Sequence, residues 1–226
     1  MNEFEMDWRR EERTGVAEAV FCEDKSAAQI ASILKAAGER PLLLTRFAAE
    51  KFASLPEASR GALDHDPASR TAFYRRADRP LARGPGIVCA GTSDLPVALE
   101  ARRTLAFHGY SAPVIPDVGV AGLWRLMKRL DEIRAFSVVI AVAGMEGALF
   151  SVLAGLVEAP VIAVPTSVGY GVAAGGRAAL NGALASCAQG LVSVNIDNGF
   201  GAACAAIRML RRREATPSDG TGGTSP

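Results

Sequence analysis

One carboxylate, Glu146, stands among glycines where an apolar run breaks off, in "VVIAVAGMEGALF" from Val138 to Phe150. A side chain of that reach at a glycine-flanked turn is a candidate acid or base. Its structural alternative is to cap the helix that follows. Asp94, in "GTSDLP", carries the same two readings, cap or ligand contact. Cys187, in "LNGALASCAQG", is the third group with potential chemistry. The two histidines, His65 and His108, fall in the N-terminal segment and at the far end of a helix. Neither position suits a histidine acid/base or a Ser-His-Asp triad. No cluster of His, Cys and carboxylate has the spacing of a zinc site.

These groups must be positioned by the elements around them. From about residue 85, short apolar runs alternate with helical runs: "GIVCA", "APVIP", "SVVIAVA", "PVIAVP" and "GLVSVNI" read as strands. Helices begin near Pro96, Gly122, Gly147, Gly176 and Ala202. Uninterrupted apolar strands are what a parallel sheet covered on both faces requires. The expected fold class is therefore α/β, a three-layer doubly wound parallel sheet of flavodoxin-like type over 85–213. A small N-terminal α/β domain is expected over 1–80, with helices in "KSAAQIASILKAAGE" and "AAEKFASL", a strand in "RPLLLTRF" and another through Arg70 to Arg75. "ADRPLARGPG" reads as the linker, and 214–226, rich in Gly, Ser, Thr and Pro, as a disordered tail.

In a doubly wound sheet, ligands bind beyond the carboxyl ends of the strands. The segments there are "GTSDLP" (Gly91, Thr92, Ser93, Asp94), "DVGVAG" (Asp117, Gly119), "GMEG" (Gly144, Met145, Glu146), "PTSVGYGVAAGG" (Thr166, Ser167, Gly169, Tyr170) and "NIDNGFGA" (Asn195, Asp197, Asn198). Glycines let a ligand approach the backbone, and free N–H groups near the Ser and Thr residues can bind phosphate. Neither G-x-G-x-x-G nor a Walker loop is present. Cys187 should end a helix that has returned toward the opposite edge, about 1.5 Å per residue. It is then either an ordinary core thiol or part of a site completed by another subunit.

The 226 residues are 49% apolar and 22% charged with a formal charge of +1, which gives no footprint for nucleic acid or an anionic membrane. No apolar run reaches the roughly 18 residues of a membrane span, and "MNEFEMDWRREERTG" lacks a signal-peptide core, so the expected location is cytoplasmic. Cys22, Cys89, Cys187 and Cys204 show no paired spacing.

"AGTSDLPVA", "DVGVAG", "GMEGAL", "PTSVGYG", "SC" and "NIDNGFGA", with "DWRREERTG", Glu18 and Lys25 before them, closely resemble the LarB family, the carboxylase/hydrolase of nickel-pincer-nucleotide cofactor biosynthesis. The second domain of that family is similar to aminoimidazole ribonucleotide carboxylase, and both assemble as octamers with sites at subunit interfaces. The resemblance implies carboxylation of nicotinic acid adenine dinucleotide at carbon 5 of its pyridinium ring by carbon dioxide. Hydrolysis of the phosphoanhydride then gives pyridinium-3,5-biscarboxylic acid mononucleotide and AMP. Cys187 matches the family's nucleophile and Glu146 its proton acceptor. No tightly bound cofactor is implied, although a divalent cation such as magnesium would suit a diphosphate. The purine enzyme is the first alternative, but it depends on a histidine where this chain reads "AGMEGALF". A non-catalytic nucleotide-binding regulator is the other. Three departures from the family pattern are Ala17 for a proline, His65 near a usual aromatic, and Phe150 for a proline, the last expected to add volume beside the site.

Overall fold

The computed structural model describes residues 4–76, 78 and 81–214. Ala77, Arg79 and Pro80 of the expected linker, and the expected tail from 215 onward, lie outside the described residues.

The first unit runs α1 (Arg10–Thr14), β1 (Ala19–Phe21), α2 (Ala27–Ala37), β2 (Leu42–Thr45), α3 (Ala49–Ala53), α4 (Glu57–Arg60), β3 (Leu63–Asp66) and β4 (Thr71–Tyr74). Its sheet has the order β1-β2-β4-β3, with β1 and β2 parallel and the remaining pairs antiparallel. Helix α2 starts where the sequence predicts. Ser26 Oγ accepts from Gln29 N–H and Gln29 returns a bond to Ser26 N–H, a capping box that stabilises the helix by about 1 kcal/mol. Its buried face, Ile30, Ile33, Leu34 and Ala37, packs with Leu42, Leu44 and Phe47. The strands β1 and β3 are not announced by apolar periodicity. β3, "LDHD", is an edge strand with no fully buried residue.

The second unit runs β5 (Pro85–Cys89), α5 (Leu95–Phe107), β6 (Val114–Ile115), α6 (Leu123–Lys128), α7 (Leu130–Arg134), β7 (Val138–Ala143), α8 (Ala148–Ala154), β8 (Val161–Pro165), α9 (Arg177–Leu184), β9 (Leu191–Ser193) and α10 (Gly199–Glu214). All five strands are parallel in the order β6-β5-β7-β8-β9, which is the flavodoxin-like order 2-1-3-4-5. The predicted class holds, and the two edge strands are shorter than the apolar runs suggest because each pairs on one side only. The helical run after Gly122 is broken at Arg129 into α6 and α7.

Alternation along the central strand explains the layers. Val138, Ile140 and Val142 face a core with Leu105, Ala206 and Ile207 of α5 and α10, whereas Val139, Ala141 and Ala143 face Leu126, Leu149 and Leu153. Every residue of β7 is buried, and each such Val or Ile contributes about 1.5–3 kcal/mol.

The two units share a joint of Leu43, Phe73 and Phe107. Arg103 of α5 lies 3.8 Å from the Phe73 ring centroid and bonds the Asp64 carboxylate and carbonyl and the Thr71 hydroxyl. His108 accepts the Ala17 N–H at Nε2, 3.1 Å, while Nδ1 meets the Thr104 carbonyl. A proline at 17 would have no N–H to give, so the Ala17 departure and the stray histidine are one feature. His65 is likewise accounted for: its ring stacks on Phe52 at 4.3 Å and 13°, taking the place of an aromatic side chain.

Candidate active site

The chain runs outward from β5 to β6 and returns to the other side of β5 to form β7, so the loops after β5 and β7 diverge and leave a crevice between them. Glu146 lies in the second of these loops. Met145 and Gly147, on either side of it, adopt left-handed backbone, at φ 51° and 69°. The Met145 N–H bonds the Val168 carbonyl at 2.8 Å, and a Cβ on Gly144 would lie 2.1 Å from that same oxygen. A Cβ on Gly182 of α9 would lie 2.6 Å from the Glu146 carbonyl. The turn is thus held by its backbone on two sides. The Glu146 side chain is exposed, and no hydrogen bond or ion pair engages it among the described residues. A carboxylate fixed at its root and free at its tip is suited to proton transfer.

Asp94 is placed differently. It is 3% exposed, accepting from Gly91 N–H at 2.9 Å and from the Thr166 hydroxyl at 2.6 Å. Burial raises its pKa above the usual carboxylate value, while bonds from Thr166, Gly91 and Gly144 act in the opposite direction. The side chain therefore ties the ends of β5, β7 and β8 together. Thr166 is fully buried and its hydroxyl is spent on Asp94. Thr92 and Ser93, one turn before α5, are exposed.

The remaining loops are tied to the same edge. Gly119 N–H bonds the Ala90 carbonyl at 2.8 Å, leaving no room for a side chain, and Asp117, at φ 56°, pairs with Arg125. Gly169 packs on the Ala173 carbonyl, and Tyr170 beyond it is 78% exposed. Asp197 accepts from Ser167 N–H at 2.8 Å, and its own N–H bonds the Pro165 carbonyl at 2.8 Å. Asn198 caps α10 through Gly201 N–H, and the Asn195 amide oxygen bonds the next N–H, that of Ile196. With Phe200 N–H taken by Glu100, the first turn of α10 has two donors already engaged. All the loop residues singled out in the sequence therefore lie on one edge of one sheet.

Cys187 does not. It follows α9 and precedes Gly190, whose carbonyl accepts from Val161 N–H at the start of β8. It therefore lies on the segment that leads toward the amino end of β8, beside Ser186, whose hydroxyl meets that of Ser151 in α8 at 2.8 Å, and outside the carboxyl-edge loops. Of the four cysteines it alone is exposed; Cys22 and Cys89 are buried and Cys204 partly so. Burial pushes those three thiols up to about 12. The core-thiol alternative for Cys187 is thereby excluded.

Phe150 is corrected. Its ring is fully buried beneath the turn, so that a Cβ on Gly147 would lie 2.6 Å from ring carbon Cε2. It adds no volume to the crevice. Sequence reasoning missed Val168, whose contribution is a backbone carbonyl, and Glu100, a buried carboxylate in the middle of a helical run with no local signal.

No group of three or more His, Cys, Asp or Glu is arranged to hold a metal ion among the described residues. No described helix is long and apolar enough to cross a membrane.

A parallel sheet of this order, with the exposed Thr92-Ser93 loop beside its switch point, defines the class. Residues 86–219 match the AIR carboxylase family, and the chain belongs to it. Residues 1–76 match the LarB/PurE-like N-terminal domain. Together the two matches make this a LarB-family chain with an AIR carboxylase domain. An uncharacterized protein of Methanocaldococcus jannaschii is 51% identical over 119 residues, 52% of this chain and 45% of that relative, so the match spans less than half of the relative's length.

Proposed function

We propose that the chain carboxylates nicotinic acid adenine dinucleotide at carbon 5 with carbon dioxide and hydrolyses its phosphoanhydride. The products are pyridinium-3,5-biscarboxylic acid mononucleotide and AMP. The observation that carries this reading is Glu146: an unengaged carboxylate at the switch point of an AIR carboxylase sheet, in a segment with no histidine.

The residue types suit the chemistry. Carbon 5 of a pyridinium is too electron-poor to attack carbon dioxide. A thiolate from Cys187 adds to carbon 4, forming a C–S bond and sending the ring's electron pair to nitrogen, which makes carbon 5 enamine-like. Carbon 5 then forms its bond to carbon dioxide. Glu146 takes the proton from carbon 5, the C–S electrons leave with sulfur, and aromaticity returns. Hydrolysis adds water across the P–O–P bridge, with Thr92, Ser93, Ser167 and backbone N–H groups holding the diphosphate. Asp94 orients this edge and Asp197 fixes Ser167; a divalent cation such as magnesium, brought in with the substrate, would supply charge neutralisation for the diphosphate.

Cys187 reaches Glu146 in this scheme from a neighbouring subunit of a homo-oligomer. Support comes from the exposed apolar side chains around the loops and α9: Trp124, Met127, Tyr170, Val172 and Leu184. Such side chains are suited to burial between copies.

The test is incubation of purified protein with the dinucleotide and bicarbonate, followed by mass spectrometry. Release of AMP with a mononucleotide heavier by one carboxyl group is expected; absence of both rejects the reading. The AIR carboxylase match favours one competitor, carboxylation of aminoimidazole ribonucleotide, and that substrate is assayed alongside. Binding of the dinucleotide without any turnover would favour the regulatory alternative.

A further inference from the structure

The first unit touches the catalytic edge through two consecutive residues at the end of β2. The Arg46 guanidinium donates through Nη2 to the Asp197 carbonyl at 3.0 Å and through Nη1 to Glu23 at 3.1 Å. Thr45, fully buried, donates its hydroxyl to Glu100 of α5, and the other oxygen of Glu100 accepts Phe200 N–H at 3.2 Å. One residue thus grips position 197 and its neighbour, through Glu100, grips position 200, on either side of the helix cap Asn198.

The gripped segment is demanding. Asp197 sits at φ 54°, in left-handed backbone that an aspartate adopts at a cost, and its carboxylate fixes Ser167 N–H in the next loop. Gly199 meets α5 so closely that a Cβ would lie 2.3 Å from the Val97 carbonyl. Arg46 itself is at φ 52°, so strained backbone stands on both sides of a single guanidinium–carbonyl bond. Such conformations persist where surrounding contacts over-determine them. Arg46 and the Thr45–Glu100 pair supply those contacts from outside the sheet.

We infer that the N-terminal domain is a clamp on the catalytic edge, with Arg46 as a positioning residue for the Asp197–Ser167 pair and Thr45, through Glu100, for the start of α10. The inference rests on the proposed reading only in taking this edge as the site of reaction. Loss of the clamp leaves the ligand's chemistry intact but lets the fifth loop wander.

The experiment uses R46A, R46K, T45V, E23Q and E39Q in the full chain. Amide hydrogen exchange over residues 195–202 is read without substrate, and kinetics on the dinucleotide are read in parallel. In R46A the exchange accelerates and kcat falls about tenfold to a hundredfold, the size expected of misplaced catalytic groups, with KM moving less than about threefold. Methylguanidinium in solution restores part of the loss. R46K, which keeps a charge but not the fork that spans Glu23 and Asp197, shifts both readouts in the same direction by less, and it serves if R46A does not fold. T45V accelerates exchange at Phe200, whereas E39Q, on the far Arg75 pair, leaves exchange and turnover as in the wild type, and E23Q, which keeps an oxygen to accept from Arg46, shifts both readouts less than R46K does. Unchanged exchange in both R46K and T45V overturns the clamp. Failure of the wild type to act on the dinucleotide overturns the functional reading and leaves the exchange result standing.

Discussion

The two sheets of this molecule use their strand ends in opposite ways. In the second sheet all five strands point the same way, so every βα loop falls on one edge and the carboxyl ends form one surface. In the first, the order β1-β2-β4-β3 mixes parallel and antiparallel pairs, and only the parallel strands β1 and β2 finish side by side. Their ends supply Glu23 and Arg46, which meet each other and then the neighbouring edge. A parallel sheet concentrates chemistry, whereas a mixed one of this size provides a bracket.

The sharpest break in that comparison is loss of the proposed nucleophile, Cys187. C187A should give no carboxylated product by mass spectrometry while retaining a wild-type melting profile, since the side chain is exposed. E146Q should lower turnover by about 10²–10⁴-fold, as removal of a positioned base does, and accumulate a thiol adduct. Mixing the two inactive proteins under conditions that exchange subunits should restore about a quarter of wild-type activity if each site draws the two residues from different copies of a symmetric assembly. No recovery, or an active monomer by light scattering, would place both groups in one chain.

Substitutions in the core of the first unit, away from Thr45 and Arg46, should instead be felt as stability. F47A removes a fully buried ring and should cost about 3–5 kcal/mol in urea unfolding. On the carboxyl edge of the second sheet, D94A leaves Gly91 N–H and the Thr166 hydroxyl without their acceptor, which should cost about 1–3 kcal/mol and lower the proposed activity. If F47A lowered kcat more than D94A did, the division of labour would be wrong.

Smaller effects follow from burial. An alkylating reagent should modify Cys187 in the native protein well before Cys22, Cys89 or Cys204, whose thiols are pushed up to about 12. Burial raises the Glu100 carboxyl, against the bonds from Thr45 and Phe200, so the folded state holds that proton more tightly than the unfolded chain. Its contribution to stability therefore falls as pH rises from the ordinary carboxylate value through the raised one. E100Q should flatten that slope in melting curves taken from acidic to neutral pH.

Much of this is legible in the sequence where one element speaks for itself. A run such as "VVIAVA" is apolar on both faces because helices cover both, and Ser26 with Gln29 spells out a helix start. The convergence of five loops follows from topology once the strands are recognised. Contacts between distant positions are not legible. Nothing near Ala17 announces His108, 91 residues away, and nothing near Arg46 announces Asp197. The edge strand β3 was hidden because its partly exposed residues need not be apolar. Val168 acts through a carbonyl that every residue type carries.

Phe150 has a consequence beyond packing. Its ring lies directly under Gly147, and Glu146 is the residue immediately before that glycine. The aromatic ring works as a shim: its thickness sets how high Glu146 stands above the sheet. Exchanging Phe150 for a slimmer apolar side chain would lower Glu146 without altering any group that faces the crevice, so position 150 sets the height of the proposed base from within the core.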